Sequence, residues 1–312
     1  MKILVTGGAG YIGSMLVNEL LLLGHQVTVL DNFMFNQQSL GHLCHFDHLQ
    51  LVKGDIRDQN LMSNLLPQFD VVIPLAAYVG MPLCKKEPVA AEEVNLTATL
   101  AMLKQLSPSQ SLLMPTTNSA YGSGDKDHFC DEKSPLNPIS DYAKQKVIVE
   151  EALMQRERAI SFRLATVFGM SPRLRLDLLV NDFTWQAFTG KSVVLFEGHF
   201  KRNYIHIRDV CRAFVHGLDN FENMKGEIYN VGLSDANISK KELCHVIKRH
   251  IVSFNFSESN EGKDPDQRNY IVSNAKIEAT GFRPQYSLDD GIQELKKGYK
   301  MINGSEATYA NV

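Results

Sequence analysis

The chain alternates short apolar segments with longer stretches in which apolar residues recur every three or four positions. The short segments are typical of buried strands, and the longer ones are typical of amphipathic helices. In the first half of the chain, strands are predicted over residues 3–6, 26–30, 49–53, 71–75, 112–115 and 160–167, and helices over 12–23, 59–66, 90–106 and 141–156. This alternation predicts βαβ units with right-handed crossovers and a parallel sheet.

After Gly169 the alternation becomes irregular. Short strands over 193–196, 204–206 and 228–231 are mixed with helices over 209–220, 238–250 and 288–301. We therefore expect an α/β fold, with a doubly wound parallel sheet over residues 1–168 and a smaller α+β lobe, interleaved with it, over 169–303. Residues 304–312 are small and polar, which predicts a flexible tail.

Composition and charge narrow the possible functions. The 312 residues are 44% hydrophobic and carry a net charge of -3, which gives no electrostatic reason to expect nucleic acid or an anionic membrane as a partner. The five cysteines are scattered and form no C-x-x-C pair, so we expect reduced thiols and no metal site. No signal-peptide core precedes the first strand, and no apolar run approaches membrane-spanning length. We expect a soluble, cytoplasmic protein.

A glycine-rich segment, VTGGAGYIG at residues 5–13, follows the first predicted strand and opens the first helix. In this setting one glycine permits a tight turn, the next lets backbone amides approach phosphate, and the third lets the helix pack on the strand. The pattern predicts a Rossmann-type dinucleotide site. The contacts expected from this segment are Gly7, Gly10, Tyr11, Ile12 and Gly13.

Residues near the ends of later strands extend the predicted dinucleotide site. Asp31 ends the second strand, where a carboxylate can bind both hydroxyls of the adenosine ribose. The same carboxylate would repel a 2′-phosphate, so NAD is favoured over NADP. The other cofactor contacts expected from strand ends and the following helix are Asn32, Asp55, Ile56, Leu75, Ala76, Ala77 and Asn95.

Tyr142 and Lys146 lie four residues apart in a predicted helix and so share a face. A free phenol has a pKa of about 10, and a nearby ammonium lowers that pKa. The ammonium also offers hydrogen-bond donors to the nicotinamide ribose. Thr117, after a predicted strand, is the candidate that orients the substrate hydroxyl. Although Y-x-x-x-K alone is common in surface helices, the three residues together predict removal of a proton from an alcohol while a hydride leaves.

With the glycine segment and Asp31, these residues resemble the extended short-chain dehydrogenase/reductase superfamily of nucleotide-sugar epimerases and dehydratases. The resemblance covers nearly the whole chain. It implies NAD as cofactor, a nucleotide-sugar substrate and a homodimer formed through the predicted helices over 90–106 and 141–156. It also implies that arginines of the smaller lobe hold the nucleotide diphosphate, since a guanidinium pairs bidentately with phosphate.

The resemblance also assigns residues to the substrate. Thr166 stands where many members have Asn, and Arg268 comes at the end of segment 264–268. The full set of substrate contacts that it implies is Asn118, Ser119, Thr166, Arg173, Arg175, Asn181, Arg202 and Arg268.

Particular residues bear on two other reactions of the superfamily, and they disfavour the first, dehydration. Its 4,6-dehydratases have Asp-Glu directly after the catalytic threonine, where this chain has Asn118 and Ser119. Neither is an effective acid or base at neutral pH. A 3,5-epimerase needs a further acid/base pair, for which Cys84 and Lys85 are candidates with no independent support.

The remaining reaction of the superfamily is oxidation at C4 of the sugar, after which the hydride either returns to the sugar or does not. Segments 74–84, 117–122 and 171–183 are similar to those of bacterial enzymes that oxidise C4 of GDP-D-glycero-α-D-manno-heptose for surface polysaccharides. This resemblance implies GDP-heptose as substrate, with a 2-keto acid as a candidate second oxidant. A 4-epimerase that recycles its own NADH is an alternative. A non-catalytic NAD-binding regulator is another, against which the intact Thr117, Tyr142 and Lys146 argue.

Overall fold

The computed structural model describes residues 1–123, 129–259, 261, 268–302 and 306–311. Its strands, in chain order, are β1 (Lys2–Thr6), β2 (Gln26–Asp31), β3 (Leu49–Lys53), β4 (Val71–Pro74), β5 (Ser111–Thr117), β6 (Phe129–Cys130), β7 (Ala159–Leu164), β8 (Thr166–Phe168), β9 (Val193–Phe196), β10 (Lys201–His206), β11 (Glu227–Val231), β12 (Asn237–Ser239), β13 (Phe256–Ser259) and β14 (Ile271–Val272).

The helices, in the same order, are α1 (Tyr11–Leu22), α2 (Gln59–Leu65), α3 (Met81–Lys86), α4 (Pro88–Glu92), α5 (Thr99–Gln105), α6 (Asp141–Leu153), α7 (Leu179–Phe188), α8 (Ile207–Asp219), α9 (Phe221–Met224), α10 (Lys240–His250), α11 (Ala275–Ala279) and α12 (Leu288–Tyr299). A π-helical segment, Glu93–Ala98, joins α4 to α5. None of these helices, within the described residues, has the length and apolar character needed to cross a membrane.

Seven strands of the described residues form one parallel sheet in the order β11-β7-β5-β4-β1-β2-β3. Alternating residues of β1 show how both faces are covered. Ile3 and Val5 pack into a core with α1 and α8, whereas Leu4 packs into another core with α2, α5 and α6. A parallel sheet buried on both faces in this way is the predicted Rossmann-type, doubly wound α/β fold, and that prediction is confirmed.

A further apolar core lies in the smaller lobe. It combines residues of α7, α10 and α12 with a three-stranded sheet in the order β12-β10-β8. The smaller lobe and the large sheet interleave in sequence. α8 and β11 come after β8 and β10 of the smaller lobe, but β11 pairs in the large sheet and α8 packs in its core.

One predicted strand divides between the two sheets. The single strand predicted over residues 160–167 is wrong, because β7 ends at Leu164 and β8 begins at Thr166. Between them, the amide of Ala165 donates to the carbonyl oxygen of Val231 at 3.0 Å. The chain then leaves β11 and pairs with β10. The apolar run is continuous in sequence, so nothing in its pattern indicates the change of sheet.

Residues 306–311 differ from the predicted flexible tail. Glu306–Tyr309 forms a 3-10 turn, and Glu306 accepts a hydrogen bond from Trp185 Nε1 at 2.9 Å. The amide of Leu176 donates to the carbonyl oxygen of Tyr309 at 2.7 Å, and Asn311 Nδ2 donates to the carbonyl oxygen of Val79 at 3.0 Å. These long-range bonds fix the segment against the rest of the chain. Residues 304, 305 and 312 of the predicted tail lie outside the described residues.

Candidate active site

The turn between β1 and α1 requires glycine at two positions. Gly7 has a φ of +70°, in the left-handed region, and a Cβ there would lie 2.5 Å from the amide nitrogen of Ala76. A Cβ at Gly13 would collide with the carbonyl oxygen of Gly7. The turn therefore lets the backbone approach a ligand closely at the start of α1, where helix amides and the helix dipole favour an anion.

A pocket opens beside this turn, where β1, β2, β3 and β4 end. Several predicted cofactor contacts line it together, and they are Gly7, Gly10, Asp31, Asn32, Asp55, Ile56, Leu75, Ala76 and Ala77. The pocket lies at the carboxyl ends of the strands, where doubly wound folds bind dinucleotides. Arg173, which the resemblance assigned to the substrate, also lines this pocket.

Asp31 is fixed at the end of β2 by two backbone amides. Its Oδ1 accepts a hydrogen bond from the amide of Phe33 at 2.8 Å, and its Oδ2 accepts one from the amide of Ala9 at 3.0 Å. Burial raises the pKa of this carboxyl group. Each oxygen has a second lone pair for a ribose hydroxyl, as the sequence interpretation requires.

Two predicted cofactor residues use their side chains to hold the protein together. The hydroxyl of Tyr11 donates to the carbonyl oxygen of Gly169 at 2.8 Å, which joins α1 to the segment after β8. Asn95 accepts from the amide of Tyr78 at 2.8 Å and donates to its carbonyl oxygen at 3.0 Å. These contacts favour positioning roles for both side chains and leave the amides at the start of α1 for a phosphate. Ile12 and Gly13 lie in the first turn of α1.

The predicted catalytic residues meet at the end of β5. Lys146 is buried, its Nζ donates to the carbonyl oxygen of Pro115 at 3.5 Å, and it lies 5.9 Å from the centre of the Tyr142 ring. Thr117 is the last residue of β5, and its Oγ1 accepts from the amide of Ser119 and donates to Ser119 Oγ, both at 3.0 Å. α6 and β5 thus bring a phenol, an ammonium and a hydroxyl to one edge of the sheet.

The pKa values of the pair differ from the sequence expectation. Burial raises the pKa of Tyr142 to about 12, the thiol of Cys84 adds to the rise, and the charges of Arg268 and Arg175 oppose it. Burial lowers the pKa of Lys146 to about 8. The expected lowering of the tyrosine pKa by Lys146 is therefore not met in the protein alone, because burial dominates.

Glu150 and Arg163, which sequence reasoning missed, anchor α6, the helix that carries Tyr142 and Lys146. Glu150 lies one turn after Lys146 on α6, and its Oε1 pairs with Arg163 Nη2 on β7 at 2.6 Å. Its Oε2 accepts from Thr116 Oγ1 on β5 at 2.7 Å. Both charged side chains are almost fully buried. The available signal was a carboxylate four residues after Lys146 on the inner face of a helix.

Other residues predicted to bind substrate directly follow Thr117 or come from the strands and loops of the smaller lobe. Arg268 donates to Ser119 Oγ, two residues after Thr117. Asn118 is completely buried, and within the described ranges neither its amide oxygen nor its amide nitrogen has a hydrogen-bond partner. Thr166 Oγ1 is likewise unpaired among those residues. Residues 264–267, which precede Arg268 in the predicted segment, lie outside the described residues. Arg202 is buried on β10 of the smaller lobe.

The loop after β8 is held by Asn181. Asn181 Oδ1 accepts from the amide of Gly169 at 3.0 Å, and its Nδ2 donates to the carbonyl oxygen of Arg175 at 2.9 Å. These bonds favour a positioning role for Asn181 over the predicted substrate contact. Arg175 in turn pairs with Asp177 at 2.5 Å, and its charge acts on Tyr142.

Comparison with known proteins places this geometry in a family. The sequence pattern of the NAD dependent epimerase/dehydratase family matches residues 3–232. The chain belongs to this family. It is 29% identical to the low-salt glycan biosynthesis protein Agl12 of Haloferax volcanii, over 94% of this chain and 96% of that protein.

Solved structures of family members have the same fold. A UDP-glucose 4-epimerase from Thermotoga maritima, solved with UDP-glucose, is 25% identical, with a TM-score of 0.81 over 96% of this chain and 99% of that one. DesIV, a dTDP-glucose 4,6-dehydratase from Streptomyces venezuelae solved with NAD, is 27% identical, with a TM-score of 0.83 over 96% and 97%. The predicted enzyme class and the NAD cofactor are confirmed.

The residues of this epimerase/dehydratase family member fit NAD. The glycine turn leaves space that a Cβ would fill, Asp31 presents a fixed carboxylate at the ribose position, and small residues at the end of β4 line the pocket. The catalytic cluster lies at the end of β5, the strand next to β4 in the sheet. The cofactor pocket and the group formed by Thr117, Tyr142 and Lys146 therefore lie side by side at the carboxyl ends of neighbouring strands.

Proposed function

We propose that this protein oxidises the C4 hydroxyl of a nucleotide-activated sugar to a ketone. The proposed substrate is GDP-D-glycero-α-D-manno-heptose, destined for surface polysaccharide. The observation that supports the reaction is that Lys146 on α6 lies against Pro115 of β5 and near the Tyr142 ring, while Thr117 ends the same strand. NAD, when bound, accepts the hydride from C4. The GDP-heptose assignment is supported by the resemblance of segments 74–84, 117–122 and 171–183.

In this proposal each catalytic residue acts at a stated atom. Thr117 Oγ1 orients the C4 hydroxyl, and the phenolate oxygen of Tyr142 receives the proton of that hydroxyl and becomes a phenol. Because burial favours the neutral phenol, nearby positive charge is needed to stabilise the phenolate. Arg268 and Arg175 supply part of that charge, and Lys146 holds the nicotinamide ribose.

The surroundings of Thr117 favour oxidation over dehydration. Asn118 and Ser119 carry no ionisable group, and Ser119 is already engaged by Thr117 and Arg268. The unpaired, buried polar atoms of Asn118 and Thr166 offer hydrogen bonds to sugar hydroxyls, since burying them unpaired costs free energy. Arg202 and Arg268 are proposed to hold the nucleotide diphosphate.

A 4-epimerase is the second candidate, favoured by the similarity to a UDP-glucose 4-epimerase over nearly the whole chain. The same three residues would act, and the hydride would return to C4. In the dehydrogenase proposal a 2-keto acid is the second oxidant. A homodimer through the helical segments over residues 90–106 and 141–156 is also part of the proposal, and the exposed Ile148 on α6 supports it.

Mass spectrometry of GDP-heptose incubated with the NAD-loaded protein tests the proposal. With 2-ketoglutarate present, we expect repeated turnover to a product lighter by two hydrogens, and without it a single turnover. Loss of water would identify a dehydratase, and an unchanged mass with inverted C4 in the NMR spectrum would identify an epimerase. UDP-glucose and dTDP-glucose run in parallel test the nucleotide, and equal turnover of all three would contradict the GDP-heptose assignment.

A further inference from the structure

Arg173 lies in an unusual position for a substrate residue. It is only 2% exposed and lines the same pocket as Gly7, Gly10 and Asp31. The loop that carries it is fixed over the start of α1, because Ser171 Oγ donates to the carbonyl oxygen of Tyr11 at 2.7 Å. The amide of Arg173 in turn donates to Ser171 Oγ at 3.3 Å. The arginine is thus held beside the glycine turn.

The guanidinium of Arg173 presents two nitrogen donors that can bind a ligand. Its Cζ lies 4.0 Å from the centre of the Phe35 ring, and its Nη1 donates to the carbonyl oxygen of Leu174 at 3.5 Å. Its Nε and Nη2 are buried, and no hydrogen-bond partner for them occurs in the parts of the chain that the structure describes. Burial lowers the pKa of Arg173 to about 10, and the charge of Arg175 adds to this.

We infer that Arg173 binds the pyrophosphate of the dinucleotide cofactor, opposite the backbone amides at the start of α1. Its two unpaired donors match the bidentate geometry that phosphate oxygens accept from a guanidinium. The start of α1 supplies amides and a positive dipole end for the same anion. The inference concerns the cofactor and holds for any sugar substrate.

If Arg173 binds the pyrophosphate, the bound cofactor contacts both the glycine turn and the loop between β8 and α7. The glycine turn follows β1, whereas Arg173 comes from the loop between β8 and α7. An anion held from both sides joins that loop to the large sheet, and the cofactor leaves only when the contact with Arg173 breaks. We therefore expect slow release of NAD from the wild-type protein and faster release when Arg173 is replaced.

Calorimetric affinities for NAD, ADP-ribose and adenosine test the inference. In Arg173→Met, which places an apolar side chain in a buried site, we expect NAD and ADP-ribose to bind about 10- to 100-fold more weakly, the range of a lost charge-assisted hydrogen bond. Adenosine, which has no phosphate, should bind unchanged. Arg173→Lys should recover part of the affinity. Arg249→Gln, an exposed arginine of α10 outside both sites, is the control, and its NAD affinity should stay at the wild-type value.

Thermal unfolding separates loss of binding from loss of folding. Without cofactor, Arg173→Met should melt at the wild-type temperature or above it, because an incompletely paired buried charge has been removed. The increase in melting temperature on adding ADP-ribose should shrink. ADP-ribose affinity that is unchanged in both Arg173→Met and Arg173→Lys would overturn the inference. So would an equal loss for adenosine, or a loss confined to GDP, which would return Arg173 to the substrate site.

Discussion

At the residue scale, the proposed chemistry depends on how the phenol of Tyr142 reaches its reactive form. Tyr142 has a pKa of about 12 and Lys146 has a pKa of about 8, both because of burial. The free protein thus stabilises the neutral form of each group. Catalysis then requires positive charge next to Tyr142, and the guanidinium groups of Arg175 and Arg268 already act in that direction.

Replacing Tyr142 by Phe tests its place in the reaction. The variant keeps the ring and removes the proton acceptor, so we expect turnover to fall by at least about 100-fold while NAD affinity stays unchanged. Steady-state kinetics and calorimetry measure the two quantities. Full activity in Tyr142→Phe would remove this residue from the reaction.

The buried Lys146 should make stability depend on pH in the absence of cofactor. Its pKa is about 8 in the folded protein and about 10.4 when unfolded, so the unfolded chain binds more protons between these values and stability rises with pH. From about pH 7.5 to 10, the wild type should gain about 2 kcal/mol in unfolding free energy relative to Lys146→Met. Above about pH 10, the raised pKa of Tyr142 acts in the opposite direction. Denaturant unfolding that gives parallel pH curves for both proteins would contradict this.

At the element scale, Glu150 fastens α6 to β5 and β7, and α6 carries the proposed catalytic residues Tyr142 and Lys146. Glu150→Gln leaves Arg163 buried without its counter-ion, and we expect a loss of about 3 kcal/mol in unfolding free energy, together with lower turnover. Glu222→Gln is the matched control, because its pairing with Arg158 is at the surface and should change stability little. Equal effects of the two substitutions would contradict the anchoring role of Glu150.

The elements also show what sequence patterns can and cannot predict. The bounds of β3 and β9 were predicted to the residue, because a turn residue, Gly54, ends β3 and polar residues, Ser192 and Glu197, flank β9. The glycine turn and the pairing of Tyr142 with Lys146 were found because their spacing is local. The sheet change at Ala165, the inward Glu150 and the place of Arg173 in the cofactor pocket depend on contacts between distant segments, which no local pattern records.

At the scale of the whole molecule, residues 306–311 join loops that border the cofactor pocket and the catalytic cluster. Gln37 Nε2 donates to the carbonyl oxygen of Thr308 at 2.7 Å, while Leu176 and Val79 bond to Tyr309 and Asn311. We expect the amide of Leu176 to be protected from hydrogen exchange, although it lies outside regular structure. Removing residues 303–312 should abolish that protection and leave exchange in β5 unchanged. Rapid exchange of Leu176 in the intact protein would contradict these contacts.

The account as a whole rests on hydride removal from C4 of the sugar. The most direct measurement is mass spectrometry of the cofactor after one turnover of GDP-heptose carrying deuterium at C4, with NAD bound and no second oxidant added. We predict that the reduced cofactor gains one deuterium, and that Tyr142→Phe yields none. Reduced cofactor without the label, or with label only from deuterium at another sugar carbon, would contradict oxidation at C4.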